Sequence, residues 1–249
     1  MNRNLVNLVD SEDKEDNEAQ KSLVIGGTVV SSGSGQFIGG NIVDIVFVFD
    51  TTGSMDDKIS ALLLTCTSFV DETNKMNLNP QFTLISFGDL SVPYGGDKIE
   101  VVVPPTSDIE IIKNGLRYIP RNKGFGNNGE SVLEAIDMAF NIQYRDEAVK
   151  VMLVVTDEPA HNVEAKVGRI IATMKDRGFL VFVVATDEFY YHAMAEKNGG
   201  FWWEIGPDTK LDEILKRFRE MARKVSLVVD DVYRLGEGDV KTYLLNAPK

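Results

Sequence analysis

Apolar positions along this chain follow two periods that take turns. From Val43, VDIVFVFD is a nearly continuous apolar run, the pattern of a parallel strand covered on both faces. Ile59, Leu62, Leu63, Cys66, Phe69 and Val70 then recur at spacings of three and four, which predicts an amphipathic helix. QFTLISFGD and KIEVVVPP read as strands, IEIIKNGLRYI as a helix, NKGFGNNGE as a loop and SVLEAIDMAF as a helix. The alternation continues through strand KVMLVVTDE, helix VEAKVGRIIATMKDRG, strand LVFVVATDE, helix YYHAMAEKNGG, strand FWWEIG and helix LDEILKRFREMARK. Strands alternating with helices imply right-handed crossovers, hence a doubly wound α/β fold with a mainly parallel sheet and helices on both faces. The tail SLVVDDVYRLGEGDVKTYLLNAPK, rich in β-branched residues around Gly-Glu-Gly, predicts two more strands, joined to an N-terminal one.

The ends of the chain differ from this middle. Residues 11–21 form a charged, mostly acidic run without apolar period, read as a solvated tail, and SLVIGGTVVSSGSGQFIGGN reads as an edge strand plus linker. The expected organisation is a tail and linker over 1–40, the α/β domain over 41–226 and a C-terminal β appendage over 227–249. The glycines before residue 41 do not make a phosphate loop, because they precede a strand and no Gly-Lys-Ser/Thr follows.

Charge and cysteine content narrow the function classes. A formal net charge of -12, from 38 acidic and 26 basic residues, repels phosphate backbones and anionic lipid, so neither nucleic acid nor membrane is an expected partner. Cys66 is the single cysteine, no disulfide can form within the chain, and its helical position argues for packing rather than reactivity. No signal peptide or membrane-spanning run is visible, so a soluble cytoplasmic protein is expected.

The candidate chemistry begins where the first long strand stops. VFVFDTTGSMDD passes from apolar residues to Asp50, Thr52 and Ser54 within five positions. In open α/β sheets ligands sit at the carboxyl ends of strands, and both Asp50 and Asp157 fall at such ends. These are hard oxygen donors with no matching histidine or thiolate, a set that selects Mg2+, Mn2+ or Ca2+ over zinc or copper. Asp, Thr and Ser could also cap the following helix, but a cap needs only one of them. Asp157 has a bland alternative as a turn residue before Pro159.

Asp50-Thr51-Thr52-Gly53-Ser54-Met55 resembles the D-x-S/T-x-S motif of the von Willebrand factor type A (VWA) domain, whose metal-ion-dependent adhesion site (MIDAS) binds a divalent cation. VVTDEPAH resembles the later strand of that family ending in Thr156-Asp157, and MAEKNGGFWWEIGPDTKLDEIL its closing helix, Gly-Gly turn, strand and final helix. The resemblance covers about residues 41–226. A middle-loop threonine of the family is missing between Arg121 and Ser131. GFGNNGES instead resembles the variant Gly-Gly-Gly-Asp-x-Pro-Glu-Ser of integrin β-subunits, which implies Glu130 as a ligand, with Asn127 and Gly129 where that variant has aspartate and proline. The metal ligands implied are Asp50, Thr52, Ser54, Glu130 and Asp157. The function implied is metal-dependent capture of an Asp or Glu of a partner protein, by an adaptor beside an AAA-type ATPase or within a multiprotein stress or defence system.

Other function classes stay open at this point. A metal-dependent phosphohydrolase would also place an aspartate at a strand end, but no Asp-x-Asp follows the first strand and no lysine stands at a strand end to balance phosphate. DTTGS is reminiscent of aspartic proteases, yet no second copy supplies the paired carboxylate. No catalysis is expected. An oligomer-forming structural subunit, pairing through its terminal strands, is the third reading. Elsewhere, Asp187 is expected to cap the helix near Phe189, Asp56 and Asp57 to favour the dipole of the helix they open, His161 and His192 to be bland surface residues, and Trp202 and Trp203 to point to opposite faces of their strand.

Overall fold

The structure, a computed structural model, describes residues 41–92, 96–124, 129–206 and 208–246 and two short strands, β1 (Leu23–Ile25) and β2 (Thr28–Val30). Side chains at positions 57, 66–68, 70–72 and 74 are outside that description. The acidic run, the linker over 31–40, Asn127 and the Cys66 side chain therefore lie outside the described residues. β1 and β2 pair antiparallel with each other, Leu23 opposite Val30 and Ile25 opposite Thr28. SLVIGGTVV thus holds a two-stranded sheet instead of the single edge strand expected. It falls in a contact unit, Met1–Gly39, separate from Gly40–Lys249.

The larger unit runs β3 (Asn41–Asp50), a 3-10 turn (Gly53–Met55), α1 (Asp56–Lys75), β4 (Leu78–Phe87), β5 (Glu100–Thr106), α2 (Ile109–Arg117), α3 (Val132–Ala139), β6 (Val149–Val155), α4 (Val163–Asp176), β7 (Phe179–Ala185), α5 (Phe189–Glu196), β8 (Trp202–Glu204), α6 (Leu211–Gly236) and α7 (Val240–Asn246). Its six-stranded sheet has the order β5-β4-β3-β6-β7-β8, parallel throughout except for β5 at the edge. The chain leaves β3 toward β4 on one side and returns to β6 on the other, so the crossovers diverge at β3. Register aligns Asp50 with Phe87, Phe49 with Val155 and Val155 with Val184, which brings the carboxyl ends of the four central strands to one level.

β3 reads as continuously apolar because both of its faces are covered. Val43, Ile45, Phe47 and Phe49 pack into the core built with α1, α2 and α6, and Val46 and Val48 into the core built with α3, α4 and α5. Trp203 packs against the first core and Trp202 against the second, as strand geometry requires, and each is partly buried.

The C-terminal tail is not a β appendage. Residues 211–236 are one helix and 240–246 another. Val225, Val228, Val229 and Val232 of α6 are buried at spacings of three and four, and Val240 joins the same core. Gly-Glu-Gly is a helix stop and not a hairpin turn: Glu237 takes φ 54°, and the Gly238 amide bonds back to the Val232 carbonyl at 3.2 Å. Helix burial of one apolar stripe overrode the β propensity of its valines.

One glycine is dictated by close approach. A Cβ on Gly200 would lie 1.8 Å from the carbonyl oxygen of Val181 in β7, a backbone atom with no freedom to yield. Gly200→Ala is expected to destabilise the protein by about 3 kcal/mol. A urea midpoint equal to that of the wild type would contradict this packing.

Candidate functional site at the strand ends

The cluster grows from the last residue of β3. Asp50 is fully buried, and its Oδ1 accepts the Thr52 amide at 2.9 Å and the Thr52 hydroxyl at 2.7 Å. Its Oδ2 accepts the Thr156 hydroxyl at 2.7 Å, from the residue just past β6. Thr51 turns away and is structural: its hydroxyl donates to the Phe87 carbonyl and accepts from Asn122. Met55 drops into the core and closes the 3-10 turn, its amide on the Thr52 carbonyl. That turn places Ser54, whose hydroxyl donates to Asp157 Oδ1 at 2.8 Å and lies 3.4 Å from the Thr52 hydroxyl. Four of the five predicted residues, Asp50, Thr52, Ser54 and Asp157, are thus joined oxygen to oxygen. Thr52 stands at the N-cap of the turn but makes no side-chain cap bond, so capping does not account for Thr52.

Glu130 arrives from the loop before α3. Its backbone bridges to the segment after β6, with its amide on the Pro159 carbonyl at 2.9 Å and its carbonyl accepting the His161 amide at 3.0 Å. A Cβ on Gly124 would lie 3.3 Å from Glu130 Oε1 and 3.4 Å from Thr52 Cγ2, so Gly124 is wedged between the two side chains. Glu130 Oε2 is buried without a hydrogen-bond partner. Nearby, Asp97 accepts the amides of Asp89, Lys123 and Gly124, and Asp89 Oδ1 accepts the Ser91 amide and meets His161 Nε2 at 3.2 Å. These bonds fold the two middle loops around Glu130.

Burial and mutual repulsion shape the electrostatics of the cluster. Burial pushes Asp50 up to about 7, against the lowering effect of its bonds from Thr52 and Thr156, and Asp157 adds to the rise. Burial first, then Asp50, Asp89, Asp97 and Glu158, push Glu130 up to about 9. Glu158 is raised as well, by burial and by Asp157.

Lys58 is the site residue that reading the sequence missed. Its side chain is 2% exposed, with Nζ 3.1 Å from Asp157 Oδ2 and 2.9 Å from the Ser54 carbonyl. The signal was present: Met55, Lys58, Ile59 and Leu62 share one helical stripe, and a lysine on an apolar stripe is out of place unless paired.

The oxygen set fits a hard cation. Asp50, Thr52, Ser54, Glu130 and Asp157 are all oxygen donors, and Glu130 Oε2 and Asp157 Oδ2 are both buried without a hydrogen-bond partner, the second with only the Lys58 ion pair, so either is an atom a cation would satisfy. Among the described residues no three His, Cys, Asp or Glu side chains converge as a ready ligand group, so a cation here would lean on the hydroxyls and on water. A cleft of about 970 Å³ lies at the opposite end of the sheet, where Asn41, Tyr144, Arg145 and Tyr233 line it. Its Arg145 is committed to Asp44 and to the carbonyls of Val43 and Asn79, which leaves the strand-end cluster as the stronger candidate.

The sequence profile of the von Willebrand factor A domain matches residues 44–237. The chain belongs to the von Willebrand factor A domain family. Two solved structures share the fold. One is von Willebrand factor type A from Catenulispora acidiphila, with 17% identity and a TM-score of 0.55 over 80% of this chain and 44% of that one. The other is conserved hypothetical protein BatB from Bacteroides thetaiotaomicron, with 16% identity and a TM-score of 0.53 over 75% of this chain and 98% of that one. This chain therefore spans less than half the length of the Catenulispora protein. No curated protein matches it in sequence.

VWA domains typically serve as protein-interaction modules. In this one the family match runs past residue 226 to 237, consistent with the helical C-terminal segment. Asp187 does not cap α5 of the VWA domain. The N-cap there is Glu188, and Asp187 Oδ1 lies 2.8 Å from His192 Nε2. His192 in turn lies tilted against Trp202 with ring centroids 3.8 Å apart. His161 is less bland than its sequence context implied, since it ties Asp89 to the loop that carries Glu130. No described helix is long and apolar enough to cross a membrane.

Proposed function

We propose that this VWA domain is a metal-dependent protein-interaction module, with Asp50, Thr52, Ser54, Glu130 and Asp157 as the residues that hold a divalent cation, magnesium or manganese foremost and calcium as the larger alternative. The observation that carries the reading is the chain of hydrogen-bonded oxygens at the ends of β3 and β6, with Glu130 beside it; burial first, and then neighbouring carboxylates, push Asp50 and Glu130 above their ordinary range. A cation in that place would supply an electrophilic coordination position for a carboxylate of the partner. The residues of the chain do the rest: Asp50 orients Thr52, Asp157 orients Ser54, and Thr156 fixes Asp50 from the neighbouring strand. An Asp or Glu side chain of a partner protein is the ligand class that follows, and the role is that of a cytoplasmic adaptor without catalysis of its own.

Calorimetry of magnesium and manganese into chelator-stripped protein tests the reading. The wild type is expected to bind one ion, and Asp50→Ala combined with Ser54→Ala to show no binding heat. Equal titrations of the two proteins would refute it. Turnover of a generic phosphate ester that disappears in Asp50→Asn would favour a phosphohydrolase instead.

A further inference from the structure

Lys58 occupies a place that packing alone would give to an aliphatic residue. It lies on the buried stripe of α1 beside Met55, Ile59 and Leu62, and its ammonium is 3.1 Å from Asp157 Oδ2, on a side chain that is itself 0% exposed. Burying an ammonium costs several kcal/mol unless charge and hydrogen bonds answer it. Ser54 supplies one such bond through its carbonyl, and Asp157 the charge. Lys58 thus contacts two of the residues assigned to the cation, Ser54 four positions before it and Asp157 just past the end of β6.

Charge balance gives this contact a meaning. Asp50, Glu130 and Asp157 together carry three negative charges when ionised, while Thr52 and Ser54 are neutral. Lys58 returns one positive charge, which leaves the amount that a single divalent ion neutralises. Asp97 and Asp89 are answered separately, by backbone amides and, for Asp89, by His161, and Glu158, which also acts on Glu130, is only partly buried and answered by solvent.

We propose that Lys58 is a resident counter-ion of the cluster, a positioning residue that lowers its net charge to that of one divalent cation and so sets a preference for divalent over trivalent ions. This rests on the metal-binding reading above. The test uses the full chain and two probes, magnesium chloride followed by calorimetry and terbium chloride followed by sensitised luminescence. Lys58→Met is expected to raise the ratio of terbium to magnesium affinity about tenfold or more, because the added unit charge acts on the trivalent ion most. Lys58→Arg keeps the ratio of the wild type. If the wild type binds both ions and Lys58→Met leaves the ratio unchanged, the counter-ion role is overturned and the metal site stands. If the wild type binds neither ion, both fall. Should Lys58→Met fail to fold, Glu130→Gln is compared with Lys58→Met/Glu130→Gln, in which one charge of each sign is removed together. The same tenfold rise between those two is expected, and its absence overturns the proposal.

Discussion

A chain ending at Ser226 is expected to lose cooperative folding. The segment removed carries Val228, Val229 and Val232 of α6 and Val240 of α7, all at most 4% exposed and all in the core that α6 shares with α1 and the sheet. It also carries Tyr233, whose hydroxyl reaches the Ile42 carbonyl at 2.5 Å and so ties the helix to the start of β3. Full burial of one valine side chain contributes about 1.5 kcal/mol or more, and four of them rival the roughly 5–15 kcal/mol by which a domain is stable at all. Urea unfolding followed by circular dichroism checks this. The full chain should give one sigmoidal transition, and the truncated chain a broad, non-cooperative slope. A truncated chain that unfolds sharply at the midpoint of the full chain would show that the segment is the appendage its β-branched composition implied.

That contrast marks how far a linear reading reaches. The doubly wound sheet was legible because each central strand is buried on both faces, so period and burial agree from Val43 to Asp50 and again from Val149 to Val155. Over 225–236 composition and period disagree. Valine favours strands, yet the spacing of Val225, Val228, Val229 and Val232 is helical, and the neighbouring surface of α1 decides in favour of the spacing. Asp50, Thr52, Ser54 and Asp157 could be named because strand ends in such a sheet face one crevice. Lys58 could not be placed in the same way: on a helix a lysine ordinarily faces water, and only the tertiary contact with Asp157 shows the reverse. Asp89 and Asp97 were missed because each lies in an irregular loop, where no period says which way a side chain points. Their influence on Glu130 is charge repulsion across the tertiary fold, which no local pattern encodes.

The thermal stability of the metal-free protein is expected to fall as pH rises from about 5 to about 9, and magnesium to remove that fall. The sign follows from the direction of two shifts. Asp50 releases its proton near 3.8 when unfolded but only at about 7 when folded, and Glu130 near 4.5 when unfolded but at about 9 when folded. Below the unfolded values both states hold the protons and neither group favours one over the other. Between the unfolded and folded values the folded protein keeps protons that the unfolded chain has lost, so each pH step stabilises the unfolded chain. One proton of linkage lowers the melting temperature of a domain this size by roughly 2–4 °C per pH unit. Asp50 contributes up to about pH 7 and Glu130 alone above it, so Glu130→Gln should flatten the upper limb and leave the lower one. A cation binds the ionised carboxyls and competes with their protons, hence its stabilising effect grows with pH. Scanning calorimetry at pH 5, 7 and 9, in chelator and in magnesium, separates the cases. Melting temperatures in chelator that rise over this range would mean that the two carboxyls are answered by positive charge already present in the fold. Parallel curves with and without magnesium would mean that the ion does not meet these carboxyls.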